Sequence, residues 1–219
     1  IDYSSAYAGR ALNASVNACQ TPPSTAVCNT VNDRAQDRYW HFGNGAGLNF
    51  GTTGTTVTNV LTNTPNVTGG TISTVNAGGQ LMFYGGATQL YNSVNATLGA
   101  ALTGTAAGTQ PIASFMSPTD STQYFVVTSS ASDATFGQLY WHKVDMTANN
   151  GLGNVTTINQ ALGATLSASE AVLAVPNNDG TKVWVITYKP NTPQYIAYLF
   201  DETGYTGTSV TSNALSANV

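Results

Sequence analysis

Residues 124–128, Tyr-Phe-Val-Val-Thr, and residues 183–187, Val-Trp-Val-Ile-Thr, are the two stretches that decide the fold. Both are short runs of β-branched and aromatic residues, which favour a strand over a helix. Each run is followed by a loop and then by a second run, at 140–145 and 195–201, that ends in aspartate. The second copy follows the first by 59 residues at the threonines and by 56 at the aspartates. The sequence therefore predicts a repeated strand–turn–strand unit.

The chain from residue 39 onward keeps the same texture. Short apolar runs alternate with Gly, Asn, Asp and Pro, which is the pattern of an all-β domain. Residues 70–75 and 80–84 flank an Asn-Ala-Gly-Gly turn and are typical of a β-hairpin. A looser copy of the repeated unit covers residues 81–92.

Hairpins that recur at this spacing are typical of β-propeller blades or of a related β-array. A four-stranded blade takes about 40–50 residues, so residues 39–219 would hold about four blades. We therefore predict an all-β, propeller-like array of antiparallel hairpin blades. A β-sandwich, in which hairpins also recur, is the alternative fold.

The composition restricts the function. Only 7% of the 219 residues are charged, against about 25% in an ordinary soluble domain. Six basic and ten acidic residues cannot form the basic surface that nucleic-acid binding requires. Polar residues interrupt every apolar run before the ~18 residues that a membrane-spanning helix needs. A surface so poor in charge is weakly protected against self-association, so we expect it to meet partner subunits, glycan or an extracellular adhesive layer. A compositional bias with no functional meaning is the alternative.

Residues 1–38 form a distinct N-terminal arm in this interpretation. The arm contains all three arginines and both cysteines, Cys19 and Cys28, on either side of a proline-containing loop. A pair that closes so short a loop fits a disulfide formed in an oxidising compartment, with two free thiols as the alternative. The chain begins with Ile1, which is expected for a processed mature product or for a cut fragment.

The residues that carry enzyme chemistry are few. His41 and His142 lie beside aromatic residues in predicted strands, where packing is a simpler role than general-base catalysis. Two His and two Cys make a multi-ligand metal site improbable, and no phosphate-binding or calcium-binding loop is present. We predict no catalytic residues, no metal and no cofactor. Glu170 is the acid to substitute first if activity is found.

Three tryptophans, Trp40, Trp141 and Trp184, are candidates for stacking on sugar rings. The alternative role, which we favour, is to fill the space between neighbouring sheets.

Several motifs occur in one order along residues 39–208 and together resemble a known family. They are residues 39–50, 78–84, 90–92, 124–128, 144–155, 184–187 and 198–199. The family is the N-terminal propeller-like region of Bacteroidetes gliding-motility and adhesin-type surface proteins, which carry a type B sorting domain of the type IX secretion system. The sequence departs from it at residues 85–87, Gly-Gly-Ala, where the family has Thr-Asp-Gly, and at 110–115, and it contains no sorting domain.

The resemblance implies a secreted, extracellular or cell-surface protein with a non-enzymatic role in adhesion, gliding or surface architecture. It also implies O-glycosylation, because residues 120–122, Asp-Ser-Thr, resemble the acceptor pattern of these bacteria. Ser121 would be the acceptor residue, which would make the protein a glycoprotein.

Three functions follow from these observations. The first is an adhesion or structural module of a larger cell-surface appendage, with other surface-protein domains as partners. The second is a self-assembling, pilus-like fibril subunit, in which residues 1–38 complete a sheet of the next copy. The third is a carbohydrate-binding or carbohydrate-active protein, with glycans as partners.

Overall fold

The computed structural model describes residues 38–50, 59–61, 67–132, 136–164, 168–189, 192 and 194–212. Over these residues the protein is all-β, as the sequence predicted, and its 14 strands form four antiparallel sheets. Helical structure in the described part is a short 3-10 turn, Asn149–Gly151. Cys19, Cys28 and all but the last residue of the N-terminal arm lie outside the described residues, so the disulfide stays a prediction.

The strands are grouped in chain order. The first sheet contains β1 (Tyr39–Gly43), β2 (Ala46–Asn49) and β3 (Asn59–Leu61), and the second contains β4 (Thr71–Val75), β5 (Leu81–Gly86) and β6 (Gln89–Asn92). The third sheet contains β7 (Ile112–Met116), β8 (Gln123–Ser129), β9 (Leu139–Asp145) and β10 (Asn154–Leu162). The fourth contains β11 (Val172–Pro176), β12 (Val183–Lys189), β13 (Gln194–Asp201) and β14 (Gly204–Thr211). Each strand pairs with its neighbour in sequence, so every sheet is a simple meander.

The repeat that the sequence predicted coincides with these sheets. The two apolar runs are the second strands, β8 and β12, and the aspartate-ending runs are the third strands, β9 and β13. The threonines of the repeat, Thr128 and Thr187, are both buried. Their hydroxyls donate to the carbonyl oxygens of Thr103 at 2.6 Å and of Ala171 at 2.9 Å, respectively. In both sheets the equivalent threonine therefore links the second strand to the segment that precedes the first strand.

The apolar core lies between the sheets in two layers. Tyr124 and Val126 of β8 belong to the cluster between the second and third sheets, whereas Phe125 and Val127 belong to the cluster between the third and fourth. Because successive side chains of a strand point to opposite faces, a strand buried on both sides needs a continuous apolar run. This double burial is why β8 reads as an unbroken hydrophobic stretch.

The first strands hold the sheets side by side. β1 contacts β4, β4 contacts β7, and β7 contacts β11, so the four sheets stack in chain order. Hydrogen bonds join these strands: Thr74 Oγ1 lies 2.8 Å from Ser114 Oγ, and the backbone N–H of His41 donates to Ser73 Oγ at 3.1 Å. Small hydroxyl side chains thus allow neighbouring first strands to approach closely.

Trp141 connects the third and fourth sheets. Its ring lies 5.9 Å from the ring of Phe200 and 6.1 Å from that of Phe125, measured between centroids. Gly204, the first residue of β14, packs against the indole with a φ of 128°, and a Cβ atom there would lie 2.7 Å from Trp141 Cη2. The tryptophan leaves no room for any side chain at this position.

Substitution Gly204→Ala is expected to lower the free energy of unfolding more than Gly207→Ala does. Both glycines lie in β14 with positive φ, but a Cβ atom at Gly207 would meet nothing within 4 Å beyond its chain neighbours. The control substitution should therefore cost about 1–2 kcal/mol for its backbone conformation alone. Gly204→Ala should cost about 1–3 kcal/mol more, because Trp141 must move. Denaturant unfolding monitored by tryptophan fluorescence measures both, and equal losses would refute the packing assignment.

Candidate functional site

Four turns with the same hydrogen-bonding pattern lie at one end of the strands of the third and fourth sheets. We call this end of the two sheets the turn edge. The turns are residues 120–122, 145–147, 179–181 and 201–203, each with the pattern Asp-x-Thr. In every turn the aspartate Oδ1 accepts hydrogen bonds from both the backbone N–H and the hydroxyl of the threonine, at 2.5–2.9 Å. The turns connect first to second strands and third to fourth strands, which places two of them at one end of each sheet.

These hydrogen bonds stabilise the ionised form of the aspartates on the turn edge. The threonine donors lower the pKa of Asp120, Asp145, Asp179 and Asp201 below the ordinary aspartate value. A carboxylate that accepts several hydrogen bonds is stabilised in its ionised form. The four aspartates are therefore ionised at neutral pH and engaged in turn geometry.

The second sheet uses amides in the same places. Asn76, in the turn between β4 and β5, accepts from the backbone N–H groups of Gly78 and Gln80, both at 3.0 Å. Asn92, at the end of β6, accepts from Val94 at 3.1 Å and from Ala96 at 3.0 Å. Asparagine supports such turns through the same side-chain oxygen. The turn device thus continues through the part of the chain that lacks charged residues.

Ser121 lies at the middle position of the first turn of this edge and is exposed. The corresponding middle positions of the other three turns are Met146, Gly180 and Glu202. Ser121 is therefore the one hydroxyl residue that the repeated turn presents at this position. The neighbouring hydroxyl of Thr122 donates to Asp120 and is engaged in the turn.

His142 is fully buried in the third sheet, and both ring nitrogens have partners. The backbone N–H of Asn159 donates to Nδ1 at 3.0 Å, which places the ring proton on Nε2. Nε2 then donates to Thr128 Oγ1 at 3.0 Å, and that hydroxyl donates to the Thr103 carbonyl. Burial lowers the pKa of His142 from 6.5 to about 4, so the imidazole is neutral at pH 7.

His41 has a packed role on the first sheet. Its ring stacks on Tyr84 with a centroid separation of 3.8 Å, and its Nδ1 lies 2.8 Å from Ser73 Oγ. Burial lowers the pKa of His41 to about 4 and raises that of Tyr84 to about 12, the latter with a contribution from Tyr91. Both histidines thus lie within packed sheets, as the sequence indicated, and each joins two parts of the fold.

Glu170 ties two loops together. Its Oε2 accepts from the backbone N–H of Thr109 at 3.0 Å and its Oε1 accepts from the hydroxyl of the same residue at 2.7 Å. Thr109 precedes β7 and Glu170 precedes β11, so the carboxylate fixes the entry of the third sheet against the entry of the fourth. The acid that sequence analysis singled out therefore has a structural position between two sheets.

The three tryptophans lie apart. Trp40 is on β1 and half-exposed, Trp141 is on β9 and partly buried against the fourth sheet, and Trp184 is on β12 and also partly buried. The chain does not bring them together as one stacking platform. Trp141 packs against the rings of Phe125 and Phe200.

Metal ligands and apolar helices are the remaining features that could indicate a function. Within the described ranges, no group of three or more His, Cys, Asp and Glu side chains converges. Among the same residues, no helix has the length and apolar character needed to cross a bilayer.

Comparison with known proteins gives no relative: no family model, no curated protein and no solved structure matches the chain.

The histidine geometry predicts acid sensitivity. The folded-state pKa of His142, about 4, is below the unfolded value of 6.5, so the unfolded chain binds more protons between these limits. Its contribution to stability is complete above pH 6.5 and is lost as the pH falls towards 4. We expect His142 alone to lower the free energy of unfolding by about 2 kcal/mol between pH 7 and pH 5, with His41 acting in the same direction.

Urea unfolding across this pH range, together with NMR titration of the imidazoles, measures the effect. Substitution His142→Phe should flatten the pH dependence, and His41→Phe should flatten it separately. A folded-state His142 pKa near 6.5, or a pH dependence unchanged in the His142→Phe variant, would contradict this assignment.

Proposed function

We propose that the four sheets are consecutive blades of a propeller-like array, and that the array is a non-enzymatic module of an extracellular bacterial surface protein. Its role is adhesion or surface architecture within a larger cell-surface appendage. The meander topology and the side-by-side first strands support the blade arrangement. The shared core layers between successive sheets support it as well.

The engagement of both histidines, Glu170 and the turn-edge aspartates in structural contacts carries the non-enzymatic part of the proposal. Both nitrogens of His142 and both carboxylate oxygens of Glu170 are bonded within the fold. The aspartates of the turn edge accept from their own threonines. Catalytic acids and bases need hydrogen-bond access to a substrate proton, and these groups are committed to strands and turns.

An extracellular role is supported by the composition and the family resemblance. Hydroxyl and amide side chains provide the polar contacts that charged residues provide in most soluble domains. The resemblance to secreted Bacteroidetes surface proteins covers the same residues, 39–208, that form the sheets. A secreted array with this surface suits contact with glycan or with other surface domains.

Antibody labelling and protease shaving of intact source cells test the location. We expect labelling on intact cells and loss of the protein on shaving, whereas protection until lysis would refute a surface role.

Incubation of the purified protein with a polysaccharide panel tests for enzymatic activity. We expect no new reducing ends, and turnover abolished by Glu170→Gln would identify a carbohydrate-active enzyme instead. Glycan binding without turnover, weakened by Trp40→Ala, would make the module a carbohydrate-binding one.

We also propose that Ser121 carries an O-linked glycan. The residue is exposed on a rigid turn beside Asp120, so an enzyme could reach its hydroxyl without unfolding the sheet. Intact-mass measurement of the protein from its source should exceed the sequence mass, and Ser121→Ala should remove the excess. Ser132→Ala, in a loop outside the Asp-Ser-Thr pattern, is the control and should retain it. A native mass equal to the sequence mass would refute the modification.

A further inference from the structure

The fourth sheet has an apolar face turned away from the third sheet. Pairing aligns Leu173 with Ile186, Ile186 with Ala197, and Ala197 with Val210, so these residues share one face. We call this the trailing face. Its large side chains are Leu173, Trp184, Ile186, Tyr195, Leu199 and Val210.

The first sheet has a corresponding face at the other end of the array. His41 contacts Ser73 and Tyr84 of the second sheet, so its neighbours Trp40 and Phe42 point the opposite way. Leu48 pairs with Trp40 across the strands and shares its side. We call this set, Trp40, Phe42 and Leu48, the leading face.

These two faces contain most of the exposed apolar surface that the structure describes. Seven large hydrophobic residues are exposed in the described ranges, and five of them lie on the two faces. They are Trp40 (49% exposed), Phe42 (53%), Leu173 (48%), Tyr195 (50%) and Val210 (55%). Clustered exposure of this kind marks an interaction surface, whereas scattered apolar residues do not.

The internal repeat indicates what the trailing face binds. Phe125 and Val127 of β8 are 59 residues before Trp184 and Ile186 of β12, the same offset as in the rest of the repeat. Phe125 and Val127 are fully buried in the cluster between the third and fourth sheets. The trailing face of the fourth sheet therefore corresponds to the face of the third sheet that packs against the fourth. A sheet that binds the trailing face should therefore do so with the face that the later sheets of the array turn towards the preceding sheet.

We propose that the trailing face of one molecule binds the leading face of a second copy. The leading face is the side of the first sheet that points away from the second sheet, which is the side that the later sheets turn towards the preceding sheet. Its residues Trp40 and Phe42 are about half-exposed. Residues 39–61 contain no Asp, Glu, Lys or Arg, so no charge repels the approaching sheet. The contact is head-to-tail, and such contacts form a ring when the rotation closes and a filament when it does not. This self-association goes beyond the surface role proposed above and does not depend on it.

A mixing experiment tests the contact with the full chain. Phe42→Asp blocks the leading face and Leu173→Asp blocks the trailing face, both at half-exposed positions. Sedimentation equilibrium should show concentration-dependent association of the unmodified protein and monomers for each variant alone. An equimolar mixture should double in mass, because each variant retains the face that the other lacks. Val94→Asp, at an exposed position outside both faces, is the matched control and should associate like the unmodified protein.

Each other result refutes the proposal. A full-length protein without substitutions that stays monomeric at about 100 μM would refute the proposal. If deletion of residues 1–37 then allowed association, the N-terminal segment of the same chain would be the partner of these faces. Self-association of the Phe42→Asp variant alone would indicate trailing-to-trailing contact. A monomeric mixture would exclude pairing of the two faces. Circular dichroism verifies folding, and Val210→Asp replaces Leu173→Asp if the latter does not fold.

Discussion

A sheet that is apolar on both faces must be covered on both sides, and this constraint organises the protein. The third sheet meets it completely, because Tyr124 and Val126 pack towards the second sheet and Phe125 and Val127 towards the fourth. Burial of such side chains is the main favourable contribution to folding, at about 25 cal/mol for each Å² removed from water. Stacking in chain order covers both faces of the inner sheets, whereas large apolar residues of the leading and trailing faces are about half-exposed in the described structure.

Neutral polar groups supply many of the contacts between the stacked sheets, in addition to the Glu170 carboxylate. Hydroxyl pairs such as Thr74 and Ser114 join first strands, and the buried network around His142 uses an uncharged imidazole. An unpaired charge in the same place would cost much more free energy than a hydroxyl, because burial removes its hydration. The low charge content that the sequence shows is thus consistent with close approach of sheets. Charge is confined largely to the ends of sheets, where Asp145 and Asp201 terminate the third strands.

The strands that the sequence predicted all carry buried residues on at least one face. Residues 124–128 lie within β8, 183–187 within β12, and the predicted hairpin around Asn76 is formed by β4 and β5. The sequence analysis did not predict β3, β7, β10 or β14. β10 and β14 are the last strands of their sheets. β14 is largely exposed, β10 is partly exposed, and bulges interrupt the pairing of both, so neither shows a regular alternation of apolar residues. An edge strand is formed by pairing with its neighbour more than by its own hydrophobic pattern.

The polar contacts divide in the same way between local and distant causes. The Asp-x-Thr turns involve residues two positions apart. The chain contains this pattern five times; four copies form the turn edge, and the fifth, at 133–135, lies outside the described residues. The recurring pattern is a sequence signal from which the turn edge could have been predicted. The partners of His142 could not be read from the sequence, because Asn159 reaches the ring through an irregular β10 and a positive φ of 54°. Thr103 comes from the loop that precedes the third sheet. The neighbouring Trp141 in a predicted strand indicated a packed histidine, but only the tertiary fold determines that the neutral form of His142 holds a loop, a bulge and a central strand together.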